Sequence, residues 1–185
     1  IAITSKDIDA YERLIEQIEM SSIQKVIFIS STSVYPVSNS LVTEETTTMN
    51  TPLSAIENLF RHTTFFETTI IRFAGLFGPG RHPGSWFKNG KTIPQPNGFV
   101  NMIHLEDCIE IIHEILDQDC WGTTFNACSN DHHSRRDFYT NARKSLNFEN
   151  PIFEENSQLK YKIICSKKLQ EDLSYQFIHD NLLDI

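Results

Sequence analysis

The sequence has few basic residues and no long apolar run. No stretch approaches the roughly 18 consecutive apolar residues that suggest a transmembrane helix, so we expect no membrane-spanning segment. Lys and Arg number 16 against 24 Asp and Glu, which gives a net charge of −8. A surface that binds nucleic acid would need a basic face instead. We therefore expect neither a membrane nor a nucleic acid as a partner. The sequence gives no indication of the oligomeric state.

Cysteine is also scarce, and no Cys-x-x-Cys pair occurs. A chain of 185 residues can bury a sizeable core without disulfides. We therefore expect reduced, mostly buried thiols and a cytoplasmic location. A zinc site could be drawn from four residues, but their spacing is unusual for zinc ligands, and we predict no metal site. These four are Cys120, Cys128, His132 and His133. The remaining cysteines are Cys108 and Cys165.

The clearest pattern lies between Lys25 and Pro36. The four residues Val26–Ile29 are β-branched or aromatic and do not alternate with polar ones, which is typical of a strand buried on both faces of a parallel sheet. Four hydroxyl residues follow, at positions 30–33. Ligands of open α/β sheets bind at the carboxyl ends of the strands, so some of these hydroxyls should line a ligand crevice. The alternative is a buried strand with an ordinary polar turn.

The flanking segments predict a doubly wound parallel sheet over residues 1–80. Ile1–Thr4 should be the end of a buried strand, and a helix with one apolar stripe should run from Ser5 or Asp7 to about Met20. Thr51 and Pro52 are typical of the first residues of a second helix. The segment Thr69–Phe73, in which apolar and polar residues do not alternate, predicts the next buried strand.

A glycine-containing loop, Ala74–Arg81, follows that strand. Its glycines allow close approach of the backbone to a ligand. Their spacing does not match Gly-x-Gly-x-x-Gly, and no helix pattern follows directly, so we do not predict a phosphate-binding turn. The loop from His82 to Gly98, with Lys88 and Lys91, could close over a ligand or lie on the solvated surface.

Residues 81–185 predict a small α/β lobe interleaved with the last sheet elements. A strand should end at about His104, and a helix with acidic residues in its first turn should begin near Glu106. Asn101 and His104 could line a substrate pocket; for His104 the alternative, a structural histidine hydrogen-bonded to the backbone, is at least as strong. Ser134 and Ser166 should cap two further helices.

Taken together, these segments resemble the extended short-chain dehydrogenase/reductases, the NAD-dependent epimerase/dehydratase family. The resemblance rests on the apolar strand followed by Ser30-Ser31 and by Val34-Tyr35, on the Arg72-bearing strand with its glycine loop, and on Asn-x-Ile-His-x-x-Asp at 101–107. The C-terminal part is similar to atypical extended members, including those called YeeZ-like. The order and spacing of the segments make the resemblance specific.

The resemblance implies a Rossmann-like domain, NAD or NADP as cofactor, and oxidoreductase chemistry on a sugar-like or nucleotide-linked small molecule. It also implies roles for particular residues. Ser31 would be catalytic. The residues toward the cofactor would be Ser30, Phe73, Ala74 and Gly75. The residues toward the substrate would be Ser33, Arg81, Asn101 and His104.

Two features of the family are absent from this sequence. One is the Tyr-x-x-x-Lys pair that supplies proton transfer in the family, and the other is the amino-terminal Gly-x-x-Gly-x-x-Gly turn, which we expect to lie upstream of Ile1. If the protein is catalytic, Glu44, Glu45 or His104 would have to move the proton. The alternative is a non-catalytic cofactor- or partner-binding protein that keeps the fold. A metal-dependent hydrolase lacks a credible ligand set.

Overall fold

A computed structural model describes residues 1–87 and 90–185. Lys88 therefore lies outside the described residues. The helices are α1 Ile8–Glu19, α2 Pro52–His62, α3 Leu105–Asp117, α4 Arg135–Ser145 and α5 Lys167–Asp172. The strands are β1 Lys25–Ser31, β2 Leu41–Val42, β3 Glu67–Phe73, β4 Gly75–Phe77, β5 Thr92–Ile93, β6 Met102–His104, β7 Thr124–Ala127, β8 Ile152–Phe153 and β9 Ile163–Ile164. Within the described ranges, no helix has the length and apolar character needed to cross a membrane.

The central sheet contains three parallel strands in the order β1–β3–β7. Ser31 at the end of β1 stands opposite Phe73, and Phe73 stands opposite Ala127. The chain passes through α2 between β1 and β3 and through α3 between β3 and β7. The predicted parallel pairing is confirmed, and the three carboxyl ends meet at one edge of the sheet.

Helices cover both faces of this sheet. Ile70 of β3 packs in the core cluster that α1 and α2 form on one face, where Phe28 stacks on Phe60 at 4.7 Å between ring centroids. Ile71, the next residue, belongs to the cluster on the other face, together with Ile111 of α3. This alternation confirms the predicted doubly wound α/β architecture.

The predicted buried strand over Ile1–Thr4 is wrong. No strand is assigned there, and Ala2, Ile3 and Thr4 are exposed. Ile1 alone pairs with β1, because its amino group donates to the carbonyl of Ile27 at 2.6 Å and its carbonyl accepts from the Ile29 amide at 2.9 Å. The apolar residues of this segment had suggested more burial than one paired residue provides.

The predicted helix starts agree with the structure, with one change of role. Asp7 caps α1, and Thr51 caps α2 in a reciprocal capping box with Ser54. Ser134 caps α4. Ser166 precedes α5 but gives it no side-chain cap; its hydroxyl instead bonds both the amide and the carbonyl of Cys128 at 2.9 Å.

The later segments supply one strand of the central sheet and pair with short strands of the earlier part of the chain. β7 completes the central sheet, while the short strands form the parallel pairs β2–β9, β4–β6 and β5–β8. A separate core cluster, which includes Phe77, Ile93 and Phe138, packs α4 against this region. Residues 81–185 are therefore interleaved with the sheet rather than appended to it.

All four cysteines are free thiols. Cys108 and Cys128 are buried in the core beside α3, and Cys120 and Cys165 are half-buried. Burial raises the pKa of Cys108 to about 12, and burial also raises that of Cys128. The expected reduced thiols agree with this placement, and the two buried ones behave as small apolar side chains.

A buried ion pair joins the sheet to α2. The guanidinium of Arg72 on β3 donates to both carboxylate oxygens of Glu57, with Nη2 2.5 Å from Oε2 and Nε 3.0 Å from Oε1. Both side chains are almost completely buried. Ser30 donates to Glu57 Oε1 at 2.5 Å, and Arg72 Nη1 donates to the Tyr35 hydroxyl at 2.5 Å. The pair therefore holds the end of β1, β3 and α2 together.

We expect Glu57→Gln to destabilise the fold by about 3–5 kcal/mol, because it leaves the buried Arg72 charge without a counter-ion. The double variant Glu57→Leu/Arg72→Met removes both charges and should cost clearly less than the single change. Urea unfolding would measure both, with exposed Glu16→Gln as the matched control. A Glu57→Gln variant within about 0.5 kcal/mol of the unaltered protein would contradict this account.

Candidate functional site

The hydroxyl-rich turn lies where β1 ends. Ser31 caps a short 3₁₀ turn, Thr32–Val34, by accepting the Ser33 amide at 3.1 Å. A serine hydroxyl that accepts one bond still has its own hydrogen to donate. The end of β1 therefore presents a donor at the carboxyl edge of the sheet, where ligands of α/β folds bind.

Two cavities share Ser31 and Ser33 as a common wall. The polar cavity, about 360 Å³, also includes Gly75, Arg135 and Lys162 in its lining. The apolar cavity, about 400 Å³, also includes Ile29, Leu53 and Leu76. Both volumes fall in the range of small-molecule sites. The two cavities adjoin and differ in polarity, so two different reactants could bind side by side, one in each cavity.

Most of the predicted site residues meet at these cavities. Ser31, Ser33, Ala74, Gly75 and Asn101 line the polar cavity. Gly75 is closely packed there, since a Cβ at this position would lie 2.7 Å from the Met102 sulfur and 3.1 Å from the Asn101 carbonyl oxygen. The glycine therefore allows close approach of another protein segment, Asn101–Met102, rather than the close approach of a ligand that was predicted.

Four predicted residues have other partners. Ser30 lines the apolar cavity, but its hydroxyl is bonded to Glu57. Phe73 is buried in the core beside α3. Arg81 Nε donates to the Leu76 carbonyl at 2.8 Å. His104 accepts the Glu106 amide at 3.2 Å and caps α3, which is the backbone alternative predicted for it.

The sequence predicts no role for Lys162, yet this lysine lines the polar cavity. Its ammonium donates to the carbonyl oxygens of Thr32 at 2.8 Å and Tyr35 at 2.7 Å, at the two ends of the 3₁₀ turn. Burial lowers the pKa of Lys162. No local signal could have found it, because 130 residues separate it from Thr32 and it lies in no recognisable motif.

The carboxylates considered as proton donors do not line the polar cavity. Glu44 and Glu45 line a different cavity, together with Arg72 and Lys168. Glu44 Oε1 accepts a hydrogen bond from the backbone N–H of Asn126 at 2.7 Å. The Tyr35 hydroxyl donates to Asn126 Oδ1 at 2.8 Å.

Burial raises the pKa of Tyr35, and this effect outweighs the opposing influence of Arg72. Tyr35 is therefore a neutral phenol whose hydroxyl is hydrogen-bonded to Asn126 and Arg72.

His104, Glu106 and His179 form a cluster whose ligand atoms lie within 4.8 Å of one another. His179 Nε2 is 2.7 Å from Glu106 Oε2. A neutral His104 that accepts at Nδ1 carries its proton on Nε2, so metal binding through Nε2 would break the helix cap. Among the described residues, this is the group of His, Cys, Asp or Glu side chains whose ligand atoms lie close enough together to hold a metal ion. It contains none of the four residues considered for zinc, Cys120, Cys128, His132 and His133.

The largest of the described cavities, about 490 Å³, lies at the opposite edge of the sheet. We call it the amino-edge cavity; Lys25, Arg61, Phe65 and Thr68 are among its lining residues. Ligands of open α/β sheets bind at the carboxyl ends of the strands. We therefore assign the functional site to the smaller cavities around Ser31.

Comparison with solved structures first defines the fold class. A functionally unknown conserved protein from Silicibacter pomeroyi DSS has a TM-score of 0.83 at 20% identity, covering 99% of this chain and 74% of that one. UDP-glucuronic acid 4-epimerase from Bacillus cereus, in complex with NAD, has a TM-score of 0.81 at 20% identity, covering 98% and 64%. The chain therefore has the Rossmann-like fold of these proteins.

A curated relative is more similar in sequence. Protein YeeZ from Escherichia coli (strain K12) is 34% identical over 176 residues, which is 92% of this chain. The chain spans 64% of the length of that relative. No protein-family model matches the chain. The relationship to YeeZ and the shared fold both support the resemblance to the NAD-dependent epimerase/dehydratase family.

We expect stability to fall at acidic pH because of His104. Burial and then the nearby His179 lower the pKa of His104. The unfolded chain therefore binds this proton at a higher pH than the folded protein does. Stability should decrease as the pH falls through about 6.5 and level off below the folded pKa.

His104→Asn keeps a capping side chain but removes the titration, so its stability should decline less steeply between about pH 7 and pH 5. Thermal unfolding across this range would show it, with His113→Asn as the exposed control. Equal slopes for His104→Asn and the unaltered protein would refute the assignment.

Proposed function

We propose that the protein is an NAD(P)-dependent oxidoreductase of the extended epimerase/dehydratase type, acting on a sugar-like or nucleotide-linked small molecule. The observation that carries this proposal is the pair of cavities that share Ser31 and Ser33 at the carboxyl edge of the parallel sheet. The relationship to YeeZ and the shared fold support the family. A solved neighbour, the Bacillus cereus UDP-glucuronic acid 4-epimerase, is in complex with NAD.

The apolar cavity suits the nicotinamide half of the cofactor. Ile29, Leu53 and Leu76 offer apolar surface for a flat ring, and Ser31 and Ser33 offer hydroxyls at its border. When bound, the cofactor supplies hydride transfer. The sequence contains no glycine turn joining a strand to a helix N-terminus, so these residues fit the nicotinamide half but provide no cradle for the diphosphate.

The polar cavity suits the substrate. In this arrangement Ser31, on the wall that the two cavities share, would donate its hydroxyl hydrogen to the reacting oxygen, and Ala74 and Gly75 would line the substrate side. Residues 1–80 together with β7 would then bind the cofactor, and the rest of 81–185 would enclose the substrate. Phe73, Arg81 and His104 would act by supporting the surrounding structure rather than by direct contact.

A non-catalytic binding protein is the second candidate. It is favoured by the absence of Tyr-x-x-x-Lys and by the engagement of the Tyr35 hydroxyl with Arg72 and Asn126. Such a protein would bind the cofactor without turning over a substrate.

We predict that Ser31→Ala lowers turnover by about 10²–10³, the usual effect of losing one donor to a developing oxyanion. The affinity for NADH should change little, because the apolar contacts remain. The assay follows hydride transfer between NAD and UDP-glucuronic acid, with exposed Ser38→Ala as the control. Unaltered turnover of Ser31→Ala would mean that other residues do the chemistry. Cofactor binding without turnover of the unaltered protein would favour the second candidate.

We also predict that NADH binds these 185 residues at most about tenfold more tightly than reduced nicotinamide mononucleotide does. The adenosine diphosphate half adds little affinity where no glycine turn and helix N-terminus receive the diphosphate. Calorimetric titration of both compounds measures the ratio. An NADH affinity a hundredfold or more above that of the mononucleotide would show that another segment binds the diphosphate.

A further inference from the structure

Lys162 is an unusually placed cation. It is half-buried, and its ammonium is held by the neutral carbonyl oxygens of Thr32 and Tyr35. In the described part of the chain, no carboxylate lies within ion-pair distance of it, unlike Lys167, which pairs with Glu171. A partly desolvated charge without a counter-ion costs free energy, and the lowered pKa of Lys162 reflects that desolvation.

The polar cavity is positively charged in an otherwise acidic protein. Its described lining includes the cations Arg135 and Lys162 and no carboxylate, whereas the chain as a whole carries a net charge of −8. Tyr139 adds no negative charge, because burial raises the pKa of its phenol more strongly than Arg135 lowers it. The local field therefore favours an anion over a neutral or cationic ligand.

The cavity also presents donors rather than acceptors. An ammonium has three hydrogens; two of those of Lys162 are bonded to Thr32 and Tyr35, which leaves one for a ligand. Arg135 uses Nε on the Pro94 carbonyl and lies over the Tyr139 ring at 5.4 Å, while its terminal amino groups keep donors of their own.

We propose that Lys162, together with Arg135, binds an oxyanion of the ligand, a carboxylate or a phosphoryl group, in the polar cavity. This proposal rests on the proposed function only in taking the polar cavity as the substrate side. The oxyanion offsets the charge of Lys162. It also accepts hydrogen bonds from the remaining ammonium hydrogen of Lys162 and from the terminal amino groups of Arg135. The resulting charge-assisted hydrogen bonds are stronger than neutral ones.

The Asn101 side chain is bonded to the backbone that carries Lys162. Its side-chain amide donates to the Lys162 carbonyl at 2.9 Å, and its amide oxygen accepts the Ile164 amide at 2.8 Å. These two bonds fix the backbone on both sides of Ile163. The Asn101 side chain, which the sequence predicted to contact substrate, is thus hydrogen-bonded to the segment that carries Lys162.

The test is an NMR titration with D-glucuronate, glucose 1-phosphate and glucose, all without cofactor. The two anions separate a carboxylate from a phosphoryl preference, and glucose is the neutral control. We expect at least one anion to bind in preference to glucose. Lys162→Met should weaken that binding on the order of tenfold to a hundredfold. Lys162→Arg should retain part of it, and exposed Lys160→Met should leave it unchanged.

A second readout uses the unaltered protein and does not depend on a variant that folds. The anion that binds should protect Lys162, but not Lys160, from acetylation by acetic anhydride, as measured by peptide mass spectrometry. Equal acetylation of Lys162 with and without the anion would overturn the proposal, as would failure of both anions to bind better than glucose. Anion binding by a protein that transfers no hydride would contradict the proposed function and leave this inference standing.

Discussion

The buried Arg72–Glu57 pair is the interaction on which the site depends. Two charges almost out of reach of water must satisfy each other, and a pair of this kind is costly unless its remaining donors and acceptors also have partners. Here Ser30 and Tyr35 provide them, each from one side of the turn that contains Ser31. The network therefore fixes the position of the turn relative to β3 and α2, and with it the wall shared by the two cavities.

The sequence lacks the Tyr-x-x-x-Lys pair of the family it resembles. The polar side chains nearest to the turn are occupied by the network, since Glu57 of α2 is bonded to both Arg72 and Ser30. Tyr35, the tyrosine next to the hydroxyl turn, is neutral and bonded to Asn126. At the carboxyl edge, the charged groups that face the polar cavity come from the later part of the chain, as Arg135 and Lys162.

The fold was predictable from the sequence, because its signals are local. In β1 and β3 the lack of alternation between apolar and polar residues indicates a strand buried on both faces. Asp7, Thr51 and Ser134 indicate helix starts, and each of them caps a helix in the structure. That Ser31, Ser33 and Gly75 lie at the carboxyl edge of the sheet was predictable for the same reason, as they follow closely on predicted strands; their functional roles stay a prediction. The bonds of Ser30 to Glu57 and of Asn101 to the backbone beside Ile163 could not be predicted, since their partners are distant in sequence. Lys162 was missed because tertiary contact alone brings it to Thr32.

The proposed position of the nicotinamide ring, beside Ser31 in the apolar cavity, can be measured by intermolecular nuclear Overhauser effects between reduced nicotinamide mononucleotide and protein side chains. We expect contacts from the nicotinamide ring protons to the methyl groups of Leu53 and Leu76. Contacts to Phe65 in the amino-edge cavity, without contacts to those leucines, would contradict it.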